Sequence, residues 1–153
     1  MNTNIGFLDQ GYPHIVVLGA GAIGGYIGGC LAVAGANVSF LGRSKMLDIV
    51  KTHGYRLTDL NGRRSELAPS EIQFTTDAKV LKLADFVLVA VKSRDTLAAA
   101  ELLRMHAKPN VTIISFQNGV GNAEALANHL PQFKVVAGMV PFNVVTLPNG
   151  HLH

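Results

Sequence analysis

The chain has 153 residues, the length of one ordinary domain, and its 48% hydrophobic and 15% charged residues exclude a disordered chain. Its net charge of +3 is too small to predict binding to nucleic acid or to a membrane surface. Neither a basic, apolar leader nor an apolar run of about 18 residues occurs, so we expect a cytoplasmic protein without a membrane span. The single cysteine, Cys30, excludes an internal disulfide and fits a reducing compartment.

Short apolar runs alternate with helical patterns along the chain. Five continuous apolar runs are typical of strands buried on both faces: 14–19 (HIVVLG), 37–42 (NVSFLG), 86–91 (FVLVAV), 111–116 (VTIISF) and 135–140 (VVAGMV). Helical spacing of apolar residues predicts helices at 22–34, from Ser44 to Gly54, from Leu97 to before Pro109, and at 123–130. Strands that alternate with helices predict an α/β fold with a doubly wound, mainly parallel sheet.

Two local features add to this outline. The segment YRLTDLNGRRSEL predicts a hairpin, because two short runs flank Asn61-Gly62, a two-residue turn signal. In the first helix, apolar residues recur at helical spacing from Ile23 to Ala34. Cys30 lies among them, and we expect it to fill the core as a small apolar residue.

The segment GAGAIGGYIGG, which begins at Gly19, joins the first predicted strand to the first helix. Gly19, Gly21 and Gly24 fit the pattern G-x-G-x-x-G, which occurs in flavin-, nicotinamide- and S-adenosylmethionine-binding folds. These glycines permit a tight turn, the approach of a pyrophosphate, and close packing of helix on strand, while the helix N-terminus offers free N–H groups. A glycine-rich turn without a ligand is the alternative, which the strand–loop–helix context disfavours. The pattern gives no role to Gly25 and Gly29.

The end of the second strand indicates which dinucleotide would bind. An NAD-binding unit places Asp or Glu about 20 residues after the loop, where the carboxylate binds the ribose 2′-hydroxyl. Here the residues are LGRSK (41–45), and the first carboxylate is Asp48. The guanidinium of Arg43 suits a 2′-phosphate, with Ser44 and Lys45 beside it. The sequence therefore favours NADP over NAD and disfavours a methyltransferase; a solvent-exposed charge at Arg43 is the alternative.

Two polar residues follow buried strands on the same rim of the sheet as the glycine loop. Lys92 comes directly after FVLVAV and could pair with a phosphate or a substrate carboxylate; a strand-end lysine in solvent is the alternative. Asn118 follows VTIISF and could bridge ribose and substrate hydroxyls; a plain Asn-Gly turn is the alternative. The six histidines have no metal-ligand spacing, and no nucleophile or paired-carboxylate motif occurs, so no metal site is predicted.

Together these segments resemble one known family. GAGAIGGYIGGCLAVAGANVSFLGR, FVLVAVKS and ISFQNGVGNAEAL, in this order and spacing, are similar to the N-terminal domain of the ketopantoate reductases (2-dehydropantoate 2-reductases). The similarity runs from about His14 to Val145. It implies a Rossmann-type fold and an enzyme that reduces 2-dehydropantoate to pantoate with NADPH, on the route to pantothenate and coenzyme A.

The resemblance also implies a site, residue by residue. The residues that bind NADP(H) would be Gly19, Ala20, Gly21, Ala22, Ile23, Gly24, Arg43, Lys92 and Asn118. Of these, Lys92 and Asn118 would also contact a small 2-oxo acid substrate. The family's proton-donating lysine belongs to a helical second domain that these residues lack, so no catalytic residue is expected in this chain.

We therefore expect three segments: an N-terminal extension (1–13), an NADP-binding Rossmann domain (14–146), and the start of a linker to a second domain (147–153). Such a chain would be a fragment with little or no reductase activity by itself. Two other functions stay open, a reductase of another 2-oxo or β-keto acid and a non-catalytic NADP-binding module. Self-association into a homo-oligomer through an exposed inter-domain face also stays open.

Overall fold

Ten strands, four α-helices and three 3₁₀ helices make up the described part of the chain, residues 11–153 of the computed structural model. The strands are β1 (His14–Leu18), β2 (Asn37–Leu41), β3 (Tyr55–Thr58), β4 (Arg64–Leu67), β5 (Gln73–Thr75), β6 (Phe86–Val89), β7 (Thr112–Ser115), β8 (Lys134–Ala137), β9 (Thr146–Leu147) and β10 (His151–Leu152). The helices are α1 (Ala22–Val33), α2 (Ser44–His53), α3 (Thr96–His106) and α4 (Asn122–His129). Most of the predicted N-terminal extension, residues 1–10, lies outside the described residues. No helix among residues 11–153 combines the length and the apolarity needed to cross a membrane.

Six parallel strands confirm the predicted doubly wound sheet. Their order is β5-β2-β1-β6-β7-β8, which by appearance along the chain is 3-2-1-4-5-6, the order of the Rossmann fold. β1 pairs with β2 on one side, where Val16 lies opposite Ser39, and with β6 on the other, where Val16 lies opposite Val87. The chain runs outward from β1 to β5 and then returns to β6, so the strand order reverses between β1 and β6.

Alternation of side chains along β1 fills a core on each face of the sheet. Val16 belongs to the cluster that includes Leu103 of α3 and Leu126 of α4, whereas Val17 belongs to the cluster that includes Phe40 of β2. Val16 and Val17 are both fully buried. Helices therefore cover both faces, as a parallel sheet with apolar strands requires.

The sequence does not predict β5, β9 or β10. β5 is an edge strand of three residues with an exposed Gln73, so it lacks the apolar run that marks a buried strand. β9 and β10 have two residues each, and β10 pairs with β3 in parallel, with His151 opposite Arg56. The predicted hairpin thereby becomes part of a second sheet, β4-β3-β10-β9, in which Leu152 is 1% exposed. That residues 147–153 lead into a linker stays a prediction.

The predicted hairpin is confirmed, although its turn is longer than Asn61-Gly62 indicates. β3 and β4 pair in antiparallel register. The carboxylate of Asp59 accepts hydrogen bonds from the backbone amides of Asn61 (2.9 Å) and Arg63 (3.0 Å), and Gly62 has φ +79°. The aspartate thus organises a turn from Asp59 to Arg63, because its side chain replaces backbone acceptors.

Glycines bring helix α1 close to the central sheet, and partly buried apolar side chains such as Ile27 and Leu31 pack beside them. Its buried residues are Gly24, Gly25, Gly28 and Gly29. A Cβ at Gly28 would lie 2.5 Å from Cε1 of Phe40 and 2.8 Å from Cγ2 of Val17, closer than real Cβ atoms come. The missing side chain therefore lets the backbone of α1 approach β1 and β2.

Gly25 and Gly29, which the sequence pattern left without a role, hold α1 against the second sheet. A Cβ at Gly25 would lie 2.9 Å from Cδ1 of Leu152, and one at Gly29 would lie 2.9 Å from Cδ1 of Leu57. The hydroxyl of Tyr55 is buried beside Gly25 without a hydrogen-bond partner among the described residues, and burial raises its pKa. One helix thus contacts both sheets through glycines on neighbouring stripes of its surface.

The expected core position of Cys30 is wrong, because glycines occupy the buried face of α1. Cys30 follows Gly29 and is exposed. The residues that the apolar pattern picked out from Ile23 onward are partly buried or exposed rather than fully buried. Hydrophobic periodicity misjudges this helix, since glycine contributes no side chain and yet has the most buried positions.

A polar cluster lies at the amino ends of β1 and β2. The Nε2 of His14 is 2.8 Å from Oγ of Ser39, whose hydroxyl donates to Oε1 of Gln73 at 3.0 Å. The carboxylate of Asp85 accepts hydrogen bonds from the backbone N–H of His14 and from Lys108. Partial burial of the imidazole lowers the pKa of His14 below its ordinary value of 6.5, against the opposing attraction of Asp85.

Substituting Gly28 by alanine is expected to destabilise the fold by about 1–3 kcal/mol, because the new Cβ meets Phe40 and Val17. In a helix free of tertiary contacts the same change would stabilise by roughly 1 kcal/mol. Urea unfolding monitored by circular dichroism measures the difference. Val33→Ala, at an exposed position of the same helix, is the control and should change stability by less than about 0.5 kcal/mol. A more stable Gly28→Ala protein would contradict the close packing.

His14 is expected to make the fold less stable in mild acid. Because its pKa is lowered in the folded state, the unfolded chain takes up the proton first, and stability is lost as pH falls through about 6.5. Between about pH 8 and pH 5, the free energy of unfolding should therefore fall more in the wild type than in His14→Gln. His53→Gln controls for the loss of an exposed histidine. Identical pH dependence of the wild type and His14→Gln would rule out this contribution.

Candidate functional site

The carboxyl ends of β1 and β6 border the crevice at which the strand order reverses. In open α/β sheets, ligands bind at this point. The glycine loop follows β1, and the loop that contains Lys92 follows β6. The loop at 117–121 follows β7, which pairs with β6. The topology therefore brings three segments that the sequence singled out to one rim of the sheet.

The glycine loop turns sharply between β1 and α1. Gly19 has φ +102°, in the left-handed region that favours glycine, and a Cβ there would lie 2.7 Å from the backbone nitrogen of Val91. A Cβ at Gly24 would overlap the carbonyl oxygen of Gly19. These two glycines therefore allow the chain to leave the strand and enter the helix within a few residues. Ala20, between them, is 4% exposed and packs in the core.

Gly21 faces open space at the N-terminus of α1. No heavy atom of the described chain lies within 4 Å of the position that its Cβ would take. Gly21 is the N-cap of α1, which has no side-chain cap among the described residues and no acidic residue in its first turn. The partial positive charge of this helix end is therefore left for an anion, and a phosphate can approach the backbone closely.

A cavity of about 350 Å³ joins the glycine loop to Lys92 and Asn118. Its lining residues are Gly21, Ala22, Ile23, Ala90, Val91, Lys92, Ser93, Phe116, Gln117 and Asn118. Lys92 and Asn118 are exposed, and within residues 11–153 neither side chain has a hydrogen bond or an ion pair. An ammonium, an amide and an uncapped helix N-terminus around one cavity suit an anionic ligand that also carries hydroxyl groups.

Asn122 ties the loop after β6 to the loop after β7. This residue is only 8% exposed, and its Nδ2 donates to the carbonyl of Asn118 at 2.8 Å and to Oγ of Ser93 at 3.0 Å. Its Oδ1 accepts a hydrogen bond from Oγ1 of Thr96 at 3.1 Å. The backbone that carries Asn118 is thereby held to the segment that follows Lys92.

Gln117 extends this network to the sheet. Its Nε2 donates to Oγ1 of Thr96 at 2.8 Å and to the carbonyl of Val91 at 3.2 Å. Its Oε1 accepts a hydrogen bond from Oγ of Ser115 at 3.1 Å. Polar networks whose hydrogen bonds are all satisfied rigidify a site. The exposed side chains of Lys92 and Asn118 therefore project from a rigid rim.

Sequence reasoning gave no role to Asn122 or Thr96. The signal available was that the VKS and QNGVGN segments follow neighbouring buried strands, so their polar residues meet at one edge. The sequence could not show that Asn122 is buried, since a polar residue at the start of a helix is ordinarily an exposed N-cap. Here Asn122 is buried and cross-links two loops.

Arg43 lies on the other side of the glycine loop and does not line the cavity. It is the N-cap of α2, a helix that has neither a side-chain cap among the described residues nor an acidic residue in its first turn. Its side chain is 80% exposed, and its Nη2 lies 3.3 Å from Oδ2 of Asp95. The Nε of Arg94 lies 4.0 Å from the same oxygen. Arg43, the residue predicted to bind the 2′-phosphate, is thus a cation at a helix N-terminus and already has a carboxylate partner.

The described residues provide neither a metal cluster nor an activated thiol at this site. Among residues 11–153, no three His, Cys, Asp or Glu side chains are grouped as a metal ion would require. Desolvation raises the pKa of the Cys30 thiol, and this effect is larger than the opposing effects of Arg63 and Tyr26. A thiol with a raised pKa is a poor nucleophile at neutral pH.

Comparison with known proteins identifies the family of this chain. The family model for the ketopantoate reductase PanE/ApbA matches residues 15–153. The chain belongs to the ketopantoate reductase family. The 2-dehydropantoate 2-reductase of Halobacterium salinarum is 38% identical over 126 residues, which cover 82% of this chain and 40% of that protein. The enzyme of that name from Archaeoglobus fulgidus is 32% identical over 140 residues, which cover 91% of this chain and 43% of that protein.

The fold agrees with solved members of the ketopantoate reductase family. The crystal structure of a PanE/ApbA family ketopantoate reductase from Ralstonia eutropha matches with a TM-score of 0.81 and 31% identity, over 91% of this chain and 45% of that one. This match confirms the predicted Rossmann-type fold. The family consists of nicotinamide-dependent oxidoreductases. The chain spans less than half the length of these relatives.

Replacing Asn122 by alanine is expected to lower the free energy of unfolding by about 1–3 kcal/mol, because the partners of the amide, among them the buried Thr96, lose their hydrogen bonds to it. Thermal unfolding followed by circular dichroism measures the loss. Asn128→Ala, an exposed asparagine of the same helix, serves as the control and should change stability by less than about 0.5 kcal/mol. Equal effects of the two substitutions would mean that the network does not hold the loops together.

Proposed function

We propose that this chain is the NADPH-binding part of an enzyme that reduces 2-dehydropantoate to pantoate, on the route to pantothenate and coenzyme A. The observation that carries the proposal is the cavity at the strand-order reversal, where the glycine loop, Lys92 and Asn118 meet. Support also comes from relatives named 2-dehydropantoate 2-reductase, of which this chain spans about two fifths. The remaining length of such an enzyme would supply the rest of the substrate site, including the proton donor.

The residues present fit the anionic parts of a dinucleotide. The backbone amides of the loop from Gly19 to Gly24, with Ala20, Ala22 and Ile23, would hold the pyrophosphate at the uncapped start of α1. Open space in front of Gly21 lets the phosphates come close. The exposed guanidinium of Arg43, at the equally uncapped start of α2, would hold the 2′-phosphate.

Lys92 and Asn118 would act at the nicotinamide end. When bound, the nicotinamide supplies a hydride to the keto carbon of the substrate. The ammonium of Lys92 would balance the negative charge of a phosphate or of a 2-oxo acid carboxylate, and the amide of Asn118 would bind hydroxyl groups of ribose and substrate. Ile23 and Phe116 give the cavity apolar walls, which limit the access of water.

Arg43→Ala is expected to weaken NADPH binding about ten- to a hundredfold, because hydrogen bonds to charged groups contribute roughly 1.5–3 kcal/mol. Binding of NADH, which has no 2′-phosphate, should change less than about twofold. Titration of cofactor fluorescence measures both dissociation constants. Arg56→Ala is the matched control, since Arg56 is also exposed and also paired with a carboxylate, Glu66, at 3.0 Å in the second sheet.

Two results would contradict the cofactor assignment. One is equal affinity of the wild-type chain for NADH and NADPH, and the other is an unchanged dissociation constant for NADPH in Arg43→Ala.

Addition of 2-dehydropantoate to the NADPH-loaded chain tests whether the proton donor lies outside this chain. We expect little or no oxidation of NADPH, and rapid oxidation would show that this chain also holds the proton donor.

A further inference from the structure

The ion pair of Arg43 and Asp95 lies beside the glycine loop, at the carboxyl ends of β2 and β6. Arg43 follows β2 and Asp95 follows β6, and β1 lies between these two strands in the sheet. Their Nη2 and Oδ2 atoms are 3.3 Å apart, and the Nε of Arg94 lies 4.0 Å from the same oxygen. The pair therefore connects the two strand ends on either side of the glycine loop. Sequence reasoning did not single out Asp95.

Asp95 lies where a short 3₁₀ helix, Ser93–Asp95, runs into α3. Asp95 is the N-cap of α3, where an aspartate ordinarily accepts a hydrogen bond from an amide of the first helical turn. In the described chain its side chain makes no capping bond to α3, and the carboxylate, 33% exposed, pairs with Arg43 instead. Because the backbone of Asp95 is not in the extended conformation typical of an N-cap, its carboxylate does not cap α3 and is available to Arg43.

A 2′-phosphate on Arg43 would share the guanidinium with Asp95, whose carboxylate contacts its Nη2. The phosphate monoester brings between one and two negative charges at neutral pH, so it would also be repelled by a carboxylate on the same guanidinium. A ribose 2′-hydroxyl carries no charge and can donate a hydrogen bond to a carboxylate. Asp95 consequently opposes a phosphorylated cofactor and not an unphosphorylated one.

We infer that Asp95 is a specificity-determining residue that competes with the cofactor 2′-phosphate for Arg43 and so limits the preference for NADPH over NADH. This inference rests on the proposed binding of NADPH at Arg43. Asp95 acts on affinity through Arg43, so its effect must disappear when Arg43 is removed.

The test uses the full chain with two probes, 2′,5′-ADP and 5′-AMP, which differ only in the 2′-phosphate. Asp95→Asn keeps the size of the side chain and its capacity to cap α3 while it removes the charge. The dissociation constant for 2′,5′-ADP should fall roughly two- to fivefold, and that for 5′-AMP should change less than about twofold. In an Arg43→Ala background the gain should vanish, and high salt should reduce it. Asp95→Ser, a second good N-cap, carries the same expectation if Asp95→Asn fails to fold.

Glu66→Gln is the matched control, because it removes the same charge from an exposed arginine–carboxylate pair in the second sheet. It should leave both dissociation constants within about twofold. Unchanged or weaker binding of 2′,5′-ADP by Asp95→Asn overturns the inference, as does an equal gain in Glu66→Gln; the proposed function survives either result. A wild-type chain that binds neither probe, or both equally, overturns the proposed function and this inference with it.

Discussion

The close contact between the backbone of α1 and the strands β1 and β2 is the constraint on which the rest of the structure depends. Gly24 and Gly28 make it possible, since a Cβ at either would overlap the carbonyl of Gly19 or the ring of Phe40. Each helical glycine costs roughly 1 kcal/mol relative to alanine, so the contact must offset this cost. The contact places an uncapped helix N-terminus at the crevice where the strand order reverses. Because Gly25 and Gly29 join the same helix to the second sheet, the position of the glycine loop depends on both sheets.

The two sides of the crevice are held by different physical interactions. On the side of β6 and β7, the buried amide of Asn122 and the partly buried amide of Gln117 cross-link the loops. Lys92 and Asn118 project from this fixed rim. On the side of β2, Arg43 is held by an exposed ion pair, an interaction that contributes about 0.2–1 kcal/mol and weakens with salt. The side of β6 and β7 is therefore rigid without a ligand, whereas on the side of β2 the guanidinium of Arg43 can exchange Asp95 for another anion.

The sequence predicts the fold well where apolar runs are long and the glycine spacing is specific. The parallel sheet, the hairpin and the family followed from those features and are confirmed. The buried face of α1 could not be predicted, because hydrophobic periodicity weighs side chains and glycine has none, which is why Cys30 was misplaced. The burial of Asn122 and the partner of Arg43 depend on how distant loops meet, information that no local pattern carries. The binding roles of Arg43, Lys92 and Asn118 stay predictions.

The pairing of β3 with β10 has a consequence for how the chain is assembled. The side chains of Thr58 and His153, joined at 2.6 Å, are 95 positions apart in sequence. During synthesis, β3 and β4 leave the ribosome long before their third strand exists, so the second sheet is completed after every strand of the parallel sheet has been made. Until then, one edge of β3 has unpaired backbone groups, and Leu57 and Tyr55 lack the cover of Leu152. Such an edge is a template for another molecule, so the pairing of β10 with β3 also protects this edge from aggregation.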